Sequence, residues 1–316
     1  MGVLEALGRL VPVVLAFGAG AVFARRKIIQ AQESRVFTDF TFLFAIPCYL
    51  FGKIYSSDLR ALFDWHAIGA YAVSATVACV LVGVTTRMLT SGGARAIALR
   101  IMAAVQVNTA YYAVPVFVML FGDAAPIFPI LLLQVCLLST VVIAVMEFGG
   151  PDADSADNRG TSRRLSRAVW ASLNTPLVLA CNLAIIANLV SVRVPSVVLD
   201  GLSFVGDAAA PVALFALGLY LGGTGVTIRG TTRTELALIA FKCLAFPLMT
   251  YALCRYVFGV GQPWLAYLTL IAAMPAPQNL FIFAQRYDID VDLSASVVVK
   301  SSAVTILLLP LWFQFA

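Results

Sequence analysis

Two stretches of this chain set uncharged amides among prolines inside otherwise apolar sequence. The first reads Gln106-Val107-Asn108-Thr109-Ala110-Tyr111-Tyr112-Ala113-Val114-Pro115, and the second Met274-Pro275-Ala276-Pro277-Gln278-Asn279-Leu280-Phe281. A proline in a helix interior removes an N–H, frees a carbonyl upstream and costs roughly 3 kcal/mol. Pro275 and Pro277 together predict a break, and Pro115 predicts one in the earlier stretch. Each broken end exposes unpaired N–H groups and carries about half a positive charge, so it can hold an anion without a lysine. Asn108, Gln278 and Asn279 add neutral donors and acceptors at the same depth. The chemistry predicted is non-covalent: the holding and release of a small carboxylate. Asn108, Thr109, Tyr112, Pro115, Pro275, Pro277, Gln278 and Asn279 form the candidate binding set, in which Tyr111 and Tyr112 either stack on the solute or pack. Each asparagine taken singly also fits interhelical amide contact, worth on the order of 0.6–2 kcal/mol. Recurrence beside matched prolines favours the site.

The elements that position these residues are membrane helices. At 61% hydrophobic and 12% charged over 316 residues, the chain lies outside the range of water-soluble domains. Ten apolar runs near the roughly 20 residues a helix needs to cross hydrocarbon can be read: Leu7–Ala24, Phe37–Ile54, Ala67–Thr86, Ile97–Phe121, Ala124–Phe148, Val169–Val190, Val197–Gly222, Glu235–Val257, Pro263–Ala284 and Ser294–Phe315. The first is not a cleaved signal sequence, because Arg25, Arg26 and Lys27 follow it instead of preceding it. Fourteen of the 21 lysines and arginines fall in the odd-numbered connections and five on the other side, with Lys242 and Lys300 inside spans. The positive-inside rule then puts the linker 149–168 in the cytoplasm and both termini outside. The net charge of +5 reflects that topology, not nucleic-acid binding.

The spans read as a duplication. Pro12 and Pro47 are answered by Pro176 and Pro211 at a common offset, and Pro115 by Pro275 and Pro277. Five spans per half is odd, so the second half enters the bilayer from the opposite face. The expectation is an all-α membrane protein of ten helices in two inverted five-helix repeats, 1–148 and 169–316. Helices 4 and 9 would be broken and cross at mid-membrane. Asp207, four residues before Pro211, looks the most buried acid: it couples a proton, pairs with Lys300 or Lys242, or sits in a wet crevice. Glu147 and Asp39 read as interfacial. The six cysteines all lie in spans without metal spacing and read as packing residues, and His66 sits at a helix end. No metal, cofactor or enzymatic constellation is expected.

Several motifs resemble the auxin efflux carrier family, which includes plant auxin exporters and bacterial malonate or malate permease-like proteins. Asn108-Thr109 followed by Pro115 resembles its N-T-x-x-x-[GA]-x-P; Pro275-x-x-x-Asn279 leading to Ala284 and Tyr287 resembles its P-x-x-x-N…A-x-x-Y. Pro211 to Gly218 resembles P-x-x-L-x-x-x-G, and Asn174-Thr175-Pro176 stands where the family carries N-P. The resemblance implies that Asn108, Pro115, Pro275 and Asn279 form a crossover substrate site. It also implies the fold of bile-acid symporters and sodium/proton antiporters, with spans 1, 2, 6 and 7 a scaffold and spans 3–5 and 8–10 a moving, elevator-like transport domain. A homodimer through the scaffold is the implied assembly. Ala110 and Ala113, where glycine is frequent, and the bulky Tyr111-Tyr112 depart from the pattern and imply a differently shaped pocket.

The function expected is alternating-access transport of small organic anions, auxin-like or dicarboxylate, through the plasma or bacterial inner membrane. A negative interior favours efflux by about 2.3 kcal/mol per charge per 100 mV. The alternative is sodium- or proton-coupled carboxylate symport or antiport on the same fold, with Thr109, Ser74 and Thr76 as hydroxyls for sodium. A membrane enzyme would need a nucleophile with a base, a carboxylate pair or a metal cluster, and the chain offers one edge histidine and no clustered acids; a sensor lacks a large relay loop.

Overall fold

A computed structural model describes residues 3–89, 93–134, 138, 141–142, 145–146, 176–224 and 231–315. Among them every regular element is helical, which pairs each backbone group within its own segment, as hydrocarbon requires. Five helical runs are long and apolar enough to cross a bilayer: Ala31–Tyr55, Trp65–Leu89, Ser196–Gly223, Arg233–Val257 and Val291–Gln314. The last four lie within three residues of the limits read from hydropathy. Pro176–Leu189 and Trp264–Ala273 are apolar but shorter. These are the described residues only, so the expected ten spans are neither reached nor refuted by this count. Expected span 4 is cut into helices of 12 and 8 residues and span 9 into helices of 10 and 9. Span 5 is described only in part. The linker 149–168, Glu147, Cys136 and Asn174-Thr175 lie outside the described residues.

Prolines shape these helices in a repeated way. Helix α1 is Val3–Arg25, α2 Ser34–Phe40 and α3 Ile46–Tyr55. Between α2 and α3 lies a π turn, Thr41–Ala45, ending two residues before Pro47. The turns Thr109–Ala113 and Phe241–Ala245 end two residues before Pro115 and Pro247 in the same fashion. A proline ring crowds the carbonyl four residues back and offers it no N–H. Widening that turn moves the carbonyl aside while the helix continues. Pro12 is different: α1 runs through it unbroken, so the expected set of broken helices does not extend to span 1.

The chain forms two compact units interleaved in sequence. One comprises Met1–Asp64, Thr109–Pro129 and Leu173–Thr227. In it α1 lies against α11 (Ala209–Thr224), the chain having passed through α9 (Pro176–Leu189) and α10 (Ser196–Gly206). The approach of α1 and α11 needs glycine: a Cβ added at Gly218 would lie 2.0 Å from the Phe17 carbonyl oxygen, and one at Gly222 2.6 Å from Ala21 Cα. This is the small-xxx-small packing of membrane helices, which have no hydrophobic force drawing them together and depend on close backbone contact. Helix α3 packs on α9 and α10, and Asn188 donates to the Tyr55 carbonyl at 2.7 Å.

The second unit comprises Trp65–Asn108, Ile130–Ser172 and Ile228–Ala316. Its helices are α5 (Trp65–Leu89), α6 (Ala94–Val105), α12 (Arg233–Ala240), α13 (Phe246–Ala252), α14 (Trp264–Ala273), α15 (Asn279–Tyr287) and α16 (Val291–Phe315). Its core joins Tyr71 edge-on to Phe246, centroids 6.2 Å apart, and Trp312 Nε1 to the Cys243 carbonyl at 3.0 Å. Both proline-bearing stretches have their non-helical residues here.

Candidate functional site

Helix α6 ends at Val105, and Gln106 turns extended at φ −69°, ψ 156°. Val107 and Asn108 follow without helical structure, then the π turn Thr109–Ala113 and α7 (Val114–Phe121). The interruption therefore precedes Pro115, which follows the π turn that accommodates it. In the other stretch α14 ends at Ala273, Met274 is extended at φ −66°, ψ 153°, and residues 274–278 are non-helical up to α15. There Pro275 and Pro277 lie within the interruption itself, as their spacing predicts.

Backbone groups released by the two interruptions find partners from elsewhere in the unit, as buried peptide groups must. The Asn108 N–H donates to the Pro275 carbonyl at 2.9 Å, so the two stretches are in direct contact. The Val107 N–H donates to Gln134 Oε1 at 3.0 Å. The Ala276 N–H donates to Ser301 Oγ at 3.2 Å, and Thr305 Oγ1 donates to the Ala273 carbonyl at 3.2 Å. Lys242 Nζ donates to the Ala272 carbonyl at 3.4 Å. Gln134, Ser301 and Thr305 were not evident as site residues. A signal for two of them exists: Ser294, Ser301 and Thr305 are all buried and share one face of α16 at spacings of seven and four.

The structure unites some of the sequence-predicted residues and separates others. Asn108, Pro275, Pro277, Gln278 and Asn279 belong to one compact unit; Thr109, Tyr112 and Pro115 belong to the other, the boundary falling between Asn108 and Thr109. Asn108 is 3% exposed, and Thr109, Tyr112, Pro115, Pro275 and Pro277 are buried. Gln278 is half-buried and Asn279, which opens α15, is exposed, so the two asparagines are not equivalent.

The charged residues are arranged differently from expectation. Asp207 is exposed at the end of α10, not buried. The buried acid is Glu235, 4% exposed, whose Oε1 stands 2.7 Å from Lys300 Nζ. Glu235 also accepts from Ser296 Oγ, and Lys300 donates to Thr231 Oγ1 at 2.9 Å. Glu235 escaped notice because it opens its span, where a carboxylate reads as an N-terminal capping residue; it does close a capping box with Thr232. Lys242 does not reach an interface but is wholly buried. Ser74 Oγ and Thr250 Oγ1 bond each other between α5 and α13 at 2.8 Å, and Thr76 Oγ1 donates to the Ala72 carbonyl of its own helix at 2.8 Å, so both hydroxyls are engaged by protein. Among the described residues no group of three or more His, Cys, Asp or Glu is placed to hold a metal.

Comparison with known proteins adds an independent line. The family described as membrane transport protein matches residues 5–313. An uncharacterized transporter of Methanothermobacter thermautotrophicus is 24% identical over 278 residues, covering 85% of this chain and 84% of that protein.

Proposed function

The chain belongs to the membrane transport protein family, that of the auxin efflux carriers, and from that premise we propose that it carries small organic anions across the membrane by alternating access. In this reading ten helices form two inverted repeats, and the substrate is held where spans 4 and 9 are interrupted. Asn108, Pro275, Pro277, Gln278 and Asn279, which share one compact unit, line its place. Spans 3–5 and 8–10 act as the transport domain and spans 1, 2, 6 and 7 as the scaffold of a homodimer. Both termini face outward.

One observation carries the reading: the Asn108 N–H bonds the Pro275 carbonyl at 2.9 Å. It joins two non-helical segments, each at a helix end inside apolar sequence. Irregular backbone at membrane depth persists only where it is enclosed by protein or borders a wet cavity. Helix α15 opens at the exposed Asn279, whose side-chain amide is a donor for a carboxylate, beside the positive end of the helix. Counterflow in proteoliposomes, screened over mono- and dicarboxylates with and without sodium and a proton gradient, tests this. Saturable exchange of at least one carboxylate is expected; no exchange of any would remove the proposal.

A further inference from the structure

Lys242 is fully buried at the tenth position of the 25-residue span Arg233–Val257. Its Nζ has two neighbours of note: the Ala272 carbonyl at 3.4 Å and the face of Phe246, 4.9 Å to the ring centroid. Ala272 is the penultimate residue of α14, so the ammonium stands at the carbonyl end of the helix that stops before Pro275. That end leaves carbonyls without intrahelical donors and carries about half a negative charge. No carboxylate among the described residues pairs with Lys242. Of the charged residues on the elements packed around it, Glu235 pairs with Lys300 and Arg100 with Asp290 at 3.2 Å, Arg95 donates to the Met146 carbonyl, and Arg233 and Asp292 are exposed. Thr305 and Ser301 add hydroxyls on the same interruption, at the Ala273 carbonyl and the Ala276 N–H. A helix-terminal carbonyl and an aromatic face are partners that suit a monovalent cation. Here the chain fills that place with its own side chain.

We propose that Lys242 is the carrier's built-in cation: its ammonium holds the carbonyl end of α14 at the interruption, in place of an alkali ion drawn from solution, so that anion movement requires no sodium or potassium. Lys242 is a positioning residue in this role. The inference deepens the carrier reading above and rests on it. It also accounts for a lysine kept in apolar surroundings where a methionine would pack without desolvating a charge.

The test uses the full chain, purified and reconstituted, with sodium, potassium, ethylammonium and choline chlorides as probes. Wild-type counterflow is expected to agree within about twofold in all four salts. Lys242→Ala should lose at least about tenfold in choline and recover several-fold in sodium or ethylammonium. The same two cations should raise its melting temperature while leaving the wild type unmoved, and ethanol, the uncharged analogue of ethylammonium, should do neither. Lys242→Met, with no space for an ion, should fold yet stay inactive in every salt. Sodium-dependent wild-type flux would overturn the proposal. So would full activity of either variant in choline, or a Lys242→Ala protein that no small cation stabilises. The melting arm needs no substrate: if the wild type exchanges no carboxylate, the carrier reading fails while cation stabilisation of Lys242→Ala still decides the role of this lysine.

Discussion

Glu235 and Lys300 bring two charges within 2.7 Å in a largely buried setting, with Ser296 and Thr231 completing their hydrogen bonds. Removing one partner of such a pair strands the other and costs on the order of 3–5 kcal/mol, whereas removing both is far milder. Glu235→Gln and Lys300→Met are each expected to lower the melting temperature more than the double variant does, measured by thermal unfolding in detergent. Strictly additive losses would dismiss the pair. Asn108 and Asn279 belong to the same scale. An amide that bonds a carboxylate contributes about 1.5–3 kcal/mol, and about 1.4 kcal/mol is a factor of ten in rate. Asn108→Ala and Asn279→Ala should therefore each reduce counterflow at least about tenfold, with insertion and melting behaviour near wild type. Normal flux in both would place the substrate elsewhere. That asparagines mark the two interruptions is legible from spacing. That one is buried and the other exposed is not, because exposure depends on which distant residues, here Gln134 and Pro275, occupy the neighbouring backbone.

Helices register proline through its local covalent geometry, and the interruption at Pro275 and Pro277 is legible from their spacing. Which other prolines draw a π turn is not, since Pro47, Pro115 and Pro247 have one while helices run unbroken through Pro12 and Pro310. The start of the other interruption is not legible either. Val107 and Asn108 give up helical hydrogen bonds because Gln134 and Pro275 receive their N–H groups instead. Close helix approach is likewise decided between elements. Gly218 and Gly69 both lie within apolar helices. A Cβ at Gly218 meets backbone at 2.0 Å, and one at Gly69 meets nothing within 4 Å. Gly218→Ala is expected to destabilise by about 1–3 kcal/mol through forced separation of α1 and α11. Gly69→Ala should be neutral or stabilising by up to about 1 kcal/mol, from reduced backbone entropy in the unfolded chain. Paired thermal unfolding curves check this; equal effects would refute the close contact.

At the scale of the whole molecule, positive charge predicts orientation. A cysteine placed at Ser155 in the linker should react with a membrane-impermeant maleimide only after cells are opened, and labelling of intact cells would invert the topology. That the protein is a helical membrane protein is contained in its composition and apolar run lengths, since hydrocarbon admits few other ways to pair a backbone. The positions of several spans and the presence of prolines in two of them are equally one-dimensional facts. What only the tertiary structure decided is which groups meet. Its two units interleave along the chain. Glu235 lies buried against Lys300 while Asp207 is exposed. Lys242 stands at the carbonyl end of a helix thirty residues away. Run length and ring strain act on neighbours in the chain and can be read from it. Charge pairing and the capping of broken ends act across space, among residues whose separation in sequence carries no record of their contact.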